Sequence, residues 1–359
     1  MAKQLGVGFI GAGPVTQAIH MPVIASLGDR LRVVHVMDVE RNVAEVVAAR
    51  AGARASTDAD SVLEDPDVDI VAVCSPHRFH TDQVLAAVAA GKRAVLCEKP
   101  LATTAEQAER LTSLCHRADV TVVVGAMHAY DPAYVAAQEH LLSSYGPPTL
   151  VRSVVYLPSN DEMTDLSTEL VSAPARPGPP DSGPPDSGTP DSRLDFEREL
   201  SVLRDGVLGL AIHDLPLIRR LVPFFDDVTL ARSLKPWGYL LSLSSPTQVA
   251  QLIAVMPGHW GPSWTFSATG PGYELSVDFP PSYVLAGSAT ARLETESGTR
   301  VWTDKENGYQ AEWRHLTDVA LGLTEPRISL QGSLDDLLYA LAVADGAGRH
   351  LVGTGGGQR

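Results

Sequence analysis

Short apolar runs alternate with helical patterns between residues 6 and 124 of the chain. Each run is brief and almost continuously apolar, which is typical of a strand buried on both faces of a parallel sheet. The segment Thr81–Ala90 places Val84, Leu85 and Val88 on one helical face, and Gly91 ends it as a C-terminal cap. Strands that alternate with helices predict a doubly wound α/β sheet. The predicted strands are Gly6–Ile10, Arg32–Met37, Asp69–Cys74, Arg93–Cys97 and Val120–Val124, and a further helix is predicted over Thr104–Arg117.

A glycine-containing turn follows the first predicted strand. Gly11 and Gly13 suit a tight turn that a phosphate approaches closely, and Pro14 suits the first position of a helix. The free N–H groups at the start of that helix, from Val15 onward, favour a pyrophosphate. Thr16 stands where the usual dinucleotide fingerprint has a third glycine, so the match is incomplete.

An acidic residue ends the second predicted strand. Asp38 lies about 20 residues beyond the glycines, where a carboxylate accepts hydrogen bonds from both ribose hydroxyls. A carboxylate there repels a 2′-phosphate, which favours NAD. Arg41 is close enough in sequence to hold that phosphate instead, so NADP stays open as the alternative cofactor.

Two other predicted strands also end in polar residues. Ser75 follows the third strand, and Glu98-Lys99-Pro100 follows the fourth. Ligands of doubly wound sheets bind at the carboxyl ends of the strands. We therefore expect Asp38, Ser75 and Lys99 at one edge of the sheet.

These motifs resemble the glucose-fructose oxidoreductase/inositol dehydrogenase/MocA-like (Gfo/Idh/MocA) family in order and spacing, and Glu-Lys-Pro is the most specific of them. The likeness covers most of the chain. It is carried by GFIGAGPV at residues 8–15, Ser75-Pro76 with His80, Cys97-Glu98-Lys99-Pro100, Gly125-Ala126-Met127-His128 and Ile212-His213-Asp214-Leu215.

The resemblance implies specific roles for the first-half residues. Lys99 is expected to hydrogen-bond the reacting substrate oxygen and the nicotinamide ribose. Ser75, Pro76 and His80 are expected to line the cofactor groove, and Glu98 to lie under the nicotinamide. It also implies a dinucleotide-binding Rossmann domain over residues 1–127 and an α+β substrate and oligomerisation domain over residues 128–350.

The second catalytic stretch departs from the family pattern. The family has an aspartate four residues before a histidine, whereas here Gly209 precedes His213. His213 could still move the proton, because its reference pKa of about 6.5 suits that work; the alternative is a histidine that only bonds within a helix interface. Asp214, Tyr130 and Tyr156 are candidate substitutes for the aspartate, and together with His128 they form the predicted substrate-contacting set.

The alternation of strands and helices stops near Met127. A linking helix is predicted over Pro132–Leu142 and a new strand over Leu150–Leu157, and short strands of alternating polarity follow between Val228 and Thr303. This pattern predicts a mostly antiparallel sheet with one open face, which the resemblance assigns to a homodimer or homotetramer contact. Residues 174–192 repeat Pro, Asp, Ser and Gly without large apolar side chains, which predicts a flexible surface insertion. Closing helices are predicted over Asn307–Leu321 and Ser333–His350.

Composition narrows the function classes. The chain has 359 residues and a formal net charge of −15, which argues against a nucleic-acid or anionic-membrane binder, because either needs a basic face. Its three cysteines have no CxxC spacing, no signal-peptide pattern opens the sequence, and no apolar run approaches ~18 residues, so we expect a cytoplasmic protein. No cluster of ligands has metal-site spacing.

These observations together predict an NAD(P)-dependent dehydrogenase or reductase. The expected reaction transfers a hydride between nicotinamide and a carbinol or ketone of a sugar, cyclitol or related intermediate, with Lys99 and His213 as catalytic residues. Two alternatives remain at this point: a dinucleotide-binding sensor or scaffold without redox activity, which Gly209 favours, and a reductase of an imine-type intermediate.

Overall fold

Two β-sheets organise the protein in a computed structural model, which describes residues 4–115, 117, 121–165, 168–172, 192–256 and 261–355. The predicted fold class is confirmed: a six-stranded parallel sheet is followed by an eight-stranded, mostly antiparallel sheet. Residues 174–191 of the predicted insertion lie outside the described residues, and Ser192 begins a helix.

The first sheet has the doubly wound strand order β3-β2-β1-β4-β5-β6, with every strand pair parallel. All six residues of β1 are buried, as expected for a central strand covered on both faces. The strands are β1 Leu5–Ile10, β2 Leu31–Met37, β3 Arg54–Ser56, β4 Ile70–Val73, β5 Ala94–Cys97 and β6 Val122–Val124. The accompanying helices are α1 Met21–Ser26, α2 Arg41–Ala51, α3 Ala59–Glu64, α4 His80–Ala89 and α5 Ala105–Thr112.

The first helical segment begins at Pro14 and passes through a π-helical turn, Thr16–His20, before α1. A π turn adds a residue to the helix and is frequently found at functional sites. Here it encloses Thr16, Gln17 and His20, all of which are buried. Helix α5 ends five residues before the predicted boundary at Arg117, in a run of turns.

The second sheet has the order β14-β13-β12-β11-β7-β10-β9-β8, and β7 and β10 form its one parallel pair among the described strands. Side chains alternate between buried and half-exposed along β10 and β11, which gives the sheet one covered and one open face. The strands are β7 Leu150–Tyr156, β8 Asp227–Ser233, β9 Trp237–Ser244, β10 Val249–Met256, β11 Ser263–Gly270, β12 Tyr273–Phe279, β13 Thr290–Thr295 and β14 Gly298–Trp302.

Two groups of helices link the two sheets, one before most strands of the second sheet and one after its last strand. The connecting helices are α6 Met127–Tyr130, α7 Pro132–Ser144, α8 Asn160–Asp165, α9 Ser192–Gly209 and α10 Leu215–Leu221, and the closing helices are α11 Gly308–Ala320 and α12 Leu330–Gly355. Helix α11 packs against α1 and β5, and α12 packs against α5, β6 and α9. Both closing helices therefore return to the first sheet and fix the cleft between the sheets. Within the described residues, no helix is both long and apolar enough to cross a membrane.

Candidate active site

The glycine turn after β1 leaves an open cradle at the start of a helix. Gly11 has φ of +103°, and a Cβ there would lie 2.6 Å from the carbonyl oxygen of Cys74, so a side chain is excluded. A Cβ at Gly13 would meet nothing within 4 Å. The hydroxyl of Thr16 donates to the Gly11 carbonyl at 2.7 Å and closes the turn where the fingerprint has its third glycine. The open space beside Gly13 and the helix that begins at Pro14 fit a pyrophosphate.

Asp38 lies at the carboxyl end of β2, beside this turn. Its carboxylate accepts hydrogen bonds from the backbone N–H groups of Ala12 and Glu40, each at 3.0 Å. Arg41 extends into solvent, with its side chain 74% exposed and 3.8 Å from Glu45. The fold thus holds the carboxylate against the glycine turn and leaves the guanidinium outside it.

The segment after β4 forms the next wall of the groove. The Ser75 hydroxyl donates to Gln83 at 2.6 Å, and Pro76 is exposed. His80 is fully buried, with Nε2 2.7 Å from the Ser75 carbonyl oxygen and Nδ1 2.8 Å from that of Pro100. The imidazole therefore ties the segment after β4 to the Glu98-Lys99-Pro100 segment after β5.

A buried hydrogen-bond chain positions Glu98. The indole N–H of Trp313 lies 3.0 Å from Nδ1 of His20, and the Nε2–H group of His20 donates a hydrogen bond to Glu98 at 2.9 Å. The backbone N–H of Lys99 donates to the other carboxylate oxygen at 3.2 Å. Burial raises the pKa of a carboxyl, but the hydrogen bond and charge of His20, together with the charge of Lys99, outweigh it and hold the pKa of Glu98 below its usual value.

Lys99 reaches across the cleft to helix α9. Its Nζ donates to the backbone carbonyl of Gly209 at 2.7 Å. Burial lowers the pKa of Lys99, and the charge of Glu98 offsets only part of that effect. The position that carries an aspartate in the family pattern therefore contributes its backbone carbonyl as the partner of the ammonium group.

His213 lies one helical turn beyond Gly209. Its Nδ1 is 3.2 Å from the sulfur of Met127, and its ring meets the Trp264 ring edge-on at 5.4 Å between centroids. Burial of the ring, with the charges of Lys99 and His128, lowers the pKa of His213 well below its ordinary value. The imidazole is therefore neutral at physiological pH and able to accept a proton.

Two cavities meet at Lys99. One, of about 260 Å³, includes Gly13, Ser75, His77 and His80 and follows the glycine turn. The other, of about 440 Å³, includes His213 and residues of the second sheet. Val15, Glu98, Lys99 and Tyr283 line both cavities.

The four predicted substrate-contacting residues lie outside the lining of the larger cavity. Asp214 is fully buried and accepts hydrogen bonds from His128 at 2.8 Å and from Trp264 at 2.7 Å, with Ser153 as a third donor. His128 stacks on Phe279 behind the cavity, with centroids 3.8 Å apart. Asp214 therefore orients the rings that pack around His213.

The two predicted tyrosines lie elsewhere. Tyr130 is buried next to His315, at 5.6 Å between ring centroids. Tyr156 alternates along β7 with the buried Ser153 and Val155, so it belongs to the open face of the sheet. Neither tyrosine lines either of the two cavities that meet at Lys99.

Sequence reasoning missed several cavity residues. Tyr283 follows Pro280-Pro281-Ser282, a segment whose composition indicates only a loop. Trp264 lies in a predicted strand, and nothing in the sequence distinguishes it from other strand residues. Both are more than 160 residues from Lys99 in the chain, and no local spacing connects them to it. In the part of the chain that the structure describes, no group of three His, Cys, Asp or Glu residues could hold a metal ion.

Comparison with known proteins identifies the first domain. Residues 5–126 match the model of the Gfo/Idh/MocA oxidoreductase family, described as an NAD-binding Rossmann fold. Residues 5–126 are therefore similar to the NAD-binding Rossmann domain of that family. The resemblance stated from Gly11, Gly13 and Glu98-Lys99-Pro100 is confirmed.

The relatives of this Gfo/Idh/MocA domain include inositol 2-dehydrogenases. The chain is 39% identical over 152 residues to inositol 2-dehydrogenase of Paracoccus denitrificans, a match that covers 42% of this chain and 45% of the relative. The chain thus spans less than half the length of the curated relatives that it matches.

Solved structures share the fold over nearly the whole chain. A 3-ketoreductase from Actinomadura kijaniata, in complex with NADP and TDP-benzene, has a TM-score of 0.70 at 18% identity and covers 96% of this chain and 98% of its own. A protein from Sinorhizobium meliloti described as a myo-inositol dehydrogenase has a TM-score of 0.66 at 20% identity and covers 98% of each chain. These structures therefore share the fold of both sheets with this chain.

Proposed function

We propose that the protein is an NAD(P)-dependent oxidoreductase that interconverts a secondary alcohol and a ketone on a sugar, cyclitol or related intermediate. The observation that carries this proposal is the lining shared by the two cavities: Lys99, Glu98, Val15 and Tyr283 face both the nucleotide groove and the larger cavity. A substrate in the larger cavity would meet the reactive end of a nucleotide at Lys99.

The nucleotide fits the groove at two points. The space beside Gly13 and the helix N-terminus at Pro14 and Val15 suit the pyrophosphate, and Asp38 suits the adenosine ribose. Ser75 and His80 line the groove that leads from the glycine turn to Lys99, and Pro76 lies between them in the chain. When bound, the nicotinamide supplies or accepts the hydride.

Lys99 and His213 have different roles at the substrate oxygen: one stabilises its charge and the other transfers its proton. The Lys99 ammonium group is positioned to stabilise negative charge on the substrate oxygen, a type of electrostatic help worth several kcal/mol in a dry site. Neutral His213 accepts the hydroxyl proton during oxidation and returns it during reduction. Gly209 holds Lys99 through its carbonyl, so the missing aspartate does not leave the ammonium group without a partner. This contact favours the enzyme over the non-redox sensor.

NADH is expected to bind more tightly than NADPH. Asp38 is held against the glycine turn, where a 2′-phosphate would approach its carboxylate, whereas Arg41 extends into solvent. Fluorescence titration with both nucleotides measures the preference, and Arg41→Ala is the control that should leave NADH affinity unchanged. If NADPH bound more tightly than NADH and Arg41→Ala abolished that preference, Arg41 rather than Asp38 would determine how the adenosine ribose is recognised.

Alcohol oxidation is expected to keep its rate as the pH falls from about 8 to about 6. Because the pKa of His213 is lowered, the imidazole remains an unprotonated base across this range, and activity is lost only at lower pH. At the alkaline side, the rate should fall as Lys99 loses its charge through its own lowered pKa. A pH profile of kcat/KM tests this, and a half-loss centred near 6.5, the ordinary pKa, would contradict it.

The open face of the second sheet is proposed as the contact of a homo-oligomer. Half-exposed apolar side chains of neighbouring strands, among them Val154 and Tyr156 on β7 and Ile253 and Val255 on β10, cluster there. Light scattering after size exclusion should give a dimer or tetramer, and Ile253→Lys should shift it toward monomer. A monomeric wild-type protein would contradict the proposal.

A further inference from the structure

The glycine at position 209 is not required by the backbone or by packing. Its φ lies outside the left-handed region, and an added Cβ would meet nothing within 4 Å. Gly206 on the same helix is different, because a Cβ there would lie 2.5 Å from Tyr239. The clear structural consequence of Gly209 is open space in the larger cavity, beside the ammonium group that its carbonyl holds.

The wall of that cavity on the second sheet is apolar. Trp237 and Met256 are paired across β9 and β10, and both line the cavity. Trp264 also lines it, but its indole N–H is committed to Asp214 at 2.7 Å, so its polar edge is unavailable. Leu157 and Met163 complete this wall.

The polar groups of the cavity are concentrated away from that wall. Lys99, Glu98 and His213 lie at the reacting end, and Asp205 lies at the exposed rim, where Ser201 donates to it at 3.1 Å. The remaining polar lining comes from Ser282 and Tyr283 of one loop and from Tyr309 on α11. A fully hydroxylated ring needs a partner for each buried hydroxyl, and each unpaired hydroxyl costs binding free energy. Among the described residues of the wall, the indole N–H of Trp237 is the one strong hydrogen-bond donor left for such hydroxyls, and the wall offers them no strong acceptor.

We propose that Gly209 is a specificity-determining position and that the substrate carries an apolar substituent next to its reacting carbon. The substituent occupies the space that a side chain at position 209 would fill and packs against Trp237 and Met256. This inference rests on the proposed oxidoreductase function and names the substrate class for the same cavity.

The test compares two cyclic ketones, 2-methylcyclohexanone and pentahydroxycyclohexanone, in NADH- and NADPH-dependent reduction. The wild-type protein should favour the methyl ketone in kcat/KM by at least about tenfold, the usual discrimination for one methyl-sized group. Gly209→Asp should reverse the order, because a carboxylate fills the space and accepts hydrogen bonds from hydroxyls. Gly146→Asp is the matched control and should preserve the wild-type order, since Gly146 also has open space around it but does not line the cavity.

The outcomes separate this inference from the proposed function. If the pentahydroxy ketone is preferred and its reduction needs Lys99, the oxidoreductase stands and the specificity inference is overturned. If neither ketone shows Lys99-dependent turnover, isothermal titration of both ketones against the protein with NAD⁺ tests the specificity of the cavity without relying on turnover. Tighter binding of the methyl ketone that Gly209→Asp weakens supports it, and equal binding or the opposite order overturns it.

Discussion

Lys99→Met is expected to lower kcat by about 100-fold or more while nucleotide affinity changes only a few-fold. The ammonium group lies at the junction of the two cavities, held by the Gly209 carbonyl at 2.7 Å. Removing one preorganised group that stabilises developing charge typically costs about 100-fold to 1,000-fold in kcat. The contacts proposed for Gly13 and Asp38 lie at the far end of the nucleotide, so most of its affinity should remain.

The measurement pairs initial rates with NADH titration of the same variant. Lys305→Met is the matched control, since Lys305 is exposed, does not line either cavity and should leave both quantities unchanged. Near-normal turnover in Lys99→Met would mean that Lys99 does not have the catalytic role that the family resemblance implies. A collapse of nucleotide binding would instead assign Lys99 a mainly structural role.

Asp214→Ala is expected to destabilise the protein by about 3 kcal/mol or more and to lower turnover as well. The carboxylate is fully buried and accepts from His128, Ser153 and Trp264, so its removal leaves three buried donors unpaired at about 1–3 kcal/mol each. His128 and Trp264 pack against His213, so the proton-accepting ring should also lose its fixed position.

Calorimetry and steady-state rates measure the two effects. A loss of about 3 kcal/mol corresponds to a fall in Tm of about 4 °C for a chain of this size. Asp226→Ala, at an exposed aspartate, is the control and should leave Tm unchanged. An unchanged Tm in Asp214→Ala would show that the three donors find other partners.

The first sheet could be predicted from sequence because its strands are buried on both faces. Every residue of β1 is buried, so the strand appears in the sequence as an apolar run. Such a run can be recognised without knowing which distant residues pack against it. The edge that carries Asp38, Ser75 and Lys99 follows from the same pattern, since parallel strands all present their carboxyl ends on one side. Strand β3 has no buried residue, and no comparable run marks it.

The second half of the site could not be predicted, because its contacts join distant segments. The Lys99–Gly209 bond spans 110 positions and uses a backbone carbonyl, which leaves no trace in residue type. Asp214 follows His213 directly, so the sequence suggests it as a substitute for the missing aspartate. In the fold its carboxylate does not line the larger cavity and instead accepts a hydrogen bond from Trp264. Tyr283 reaches the junction of the cavities from a loop that has no distinguishing pattern.

A crystal structure of the protein with bound NADH tests the central claim most directly. We expect the pyrophosphate at Gly13 and Pro14, the adenosine ribose on Asp38, and the nicotinamide ring at the junction formed by Val15, Lys99 and Tyr283. Its C4 atom should face the larger cavity, within reach of a substrate oxygen on Lys99. A nicotinamide ring directed into solvent, with that junction empty, would contradict the proposed role of Lys99.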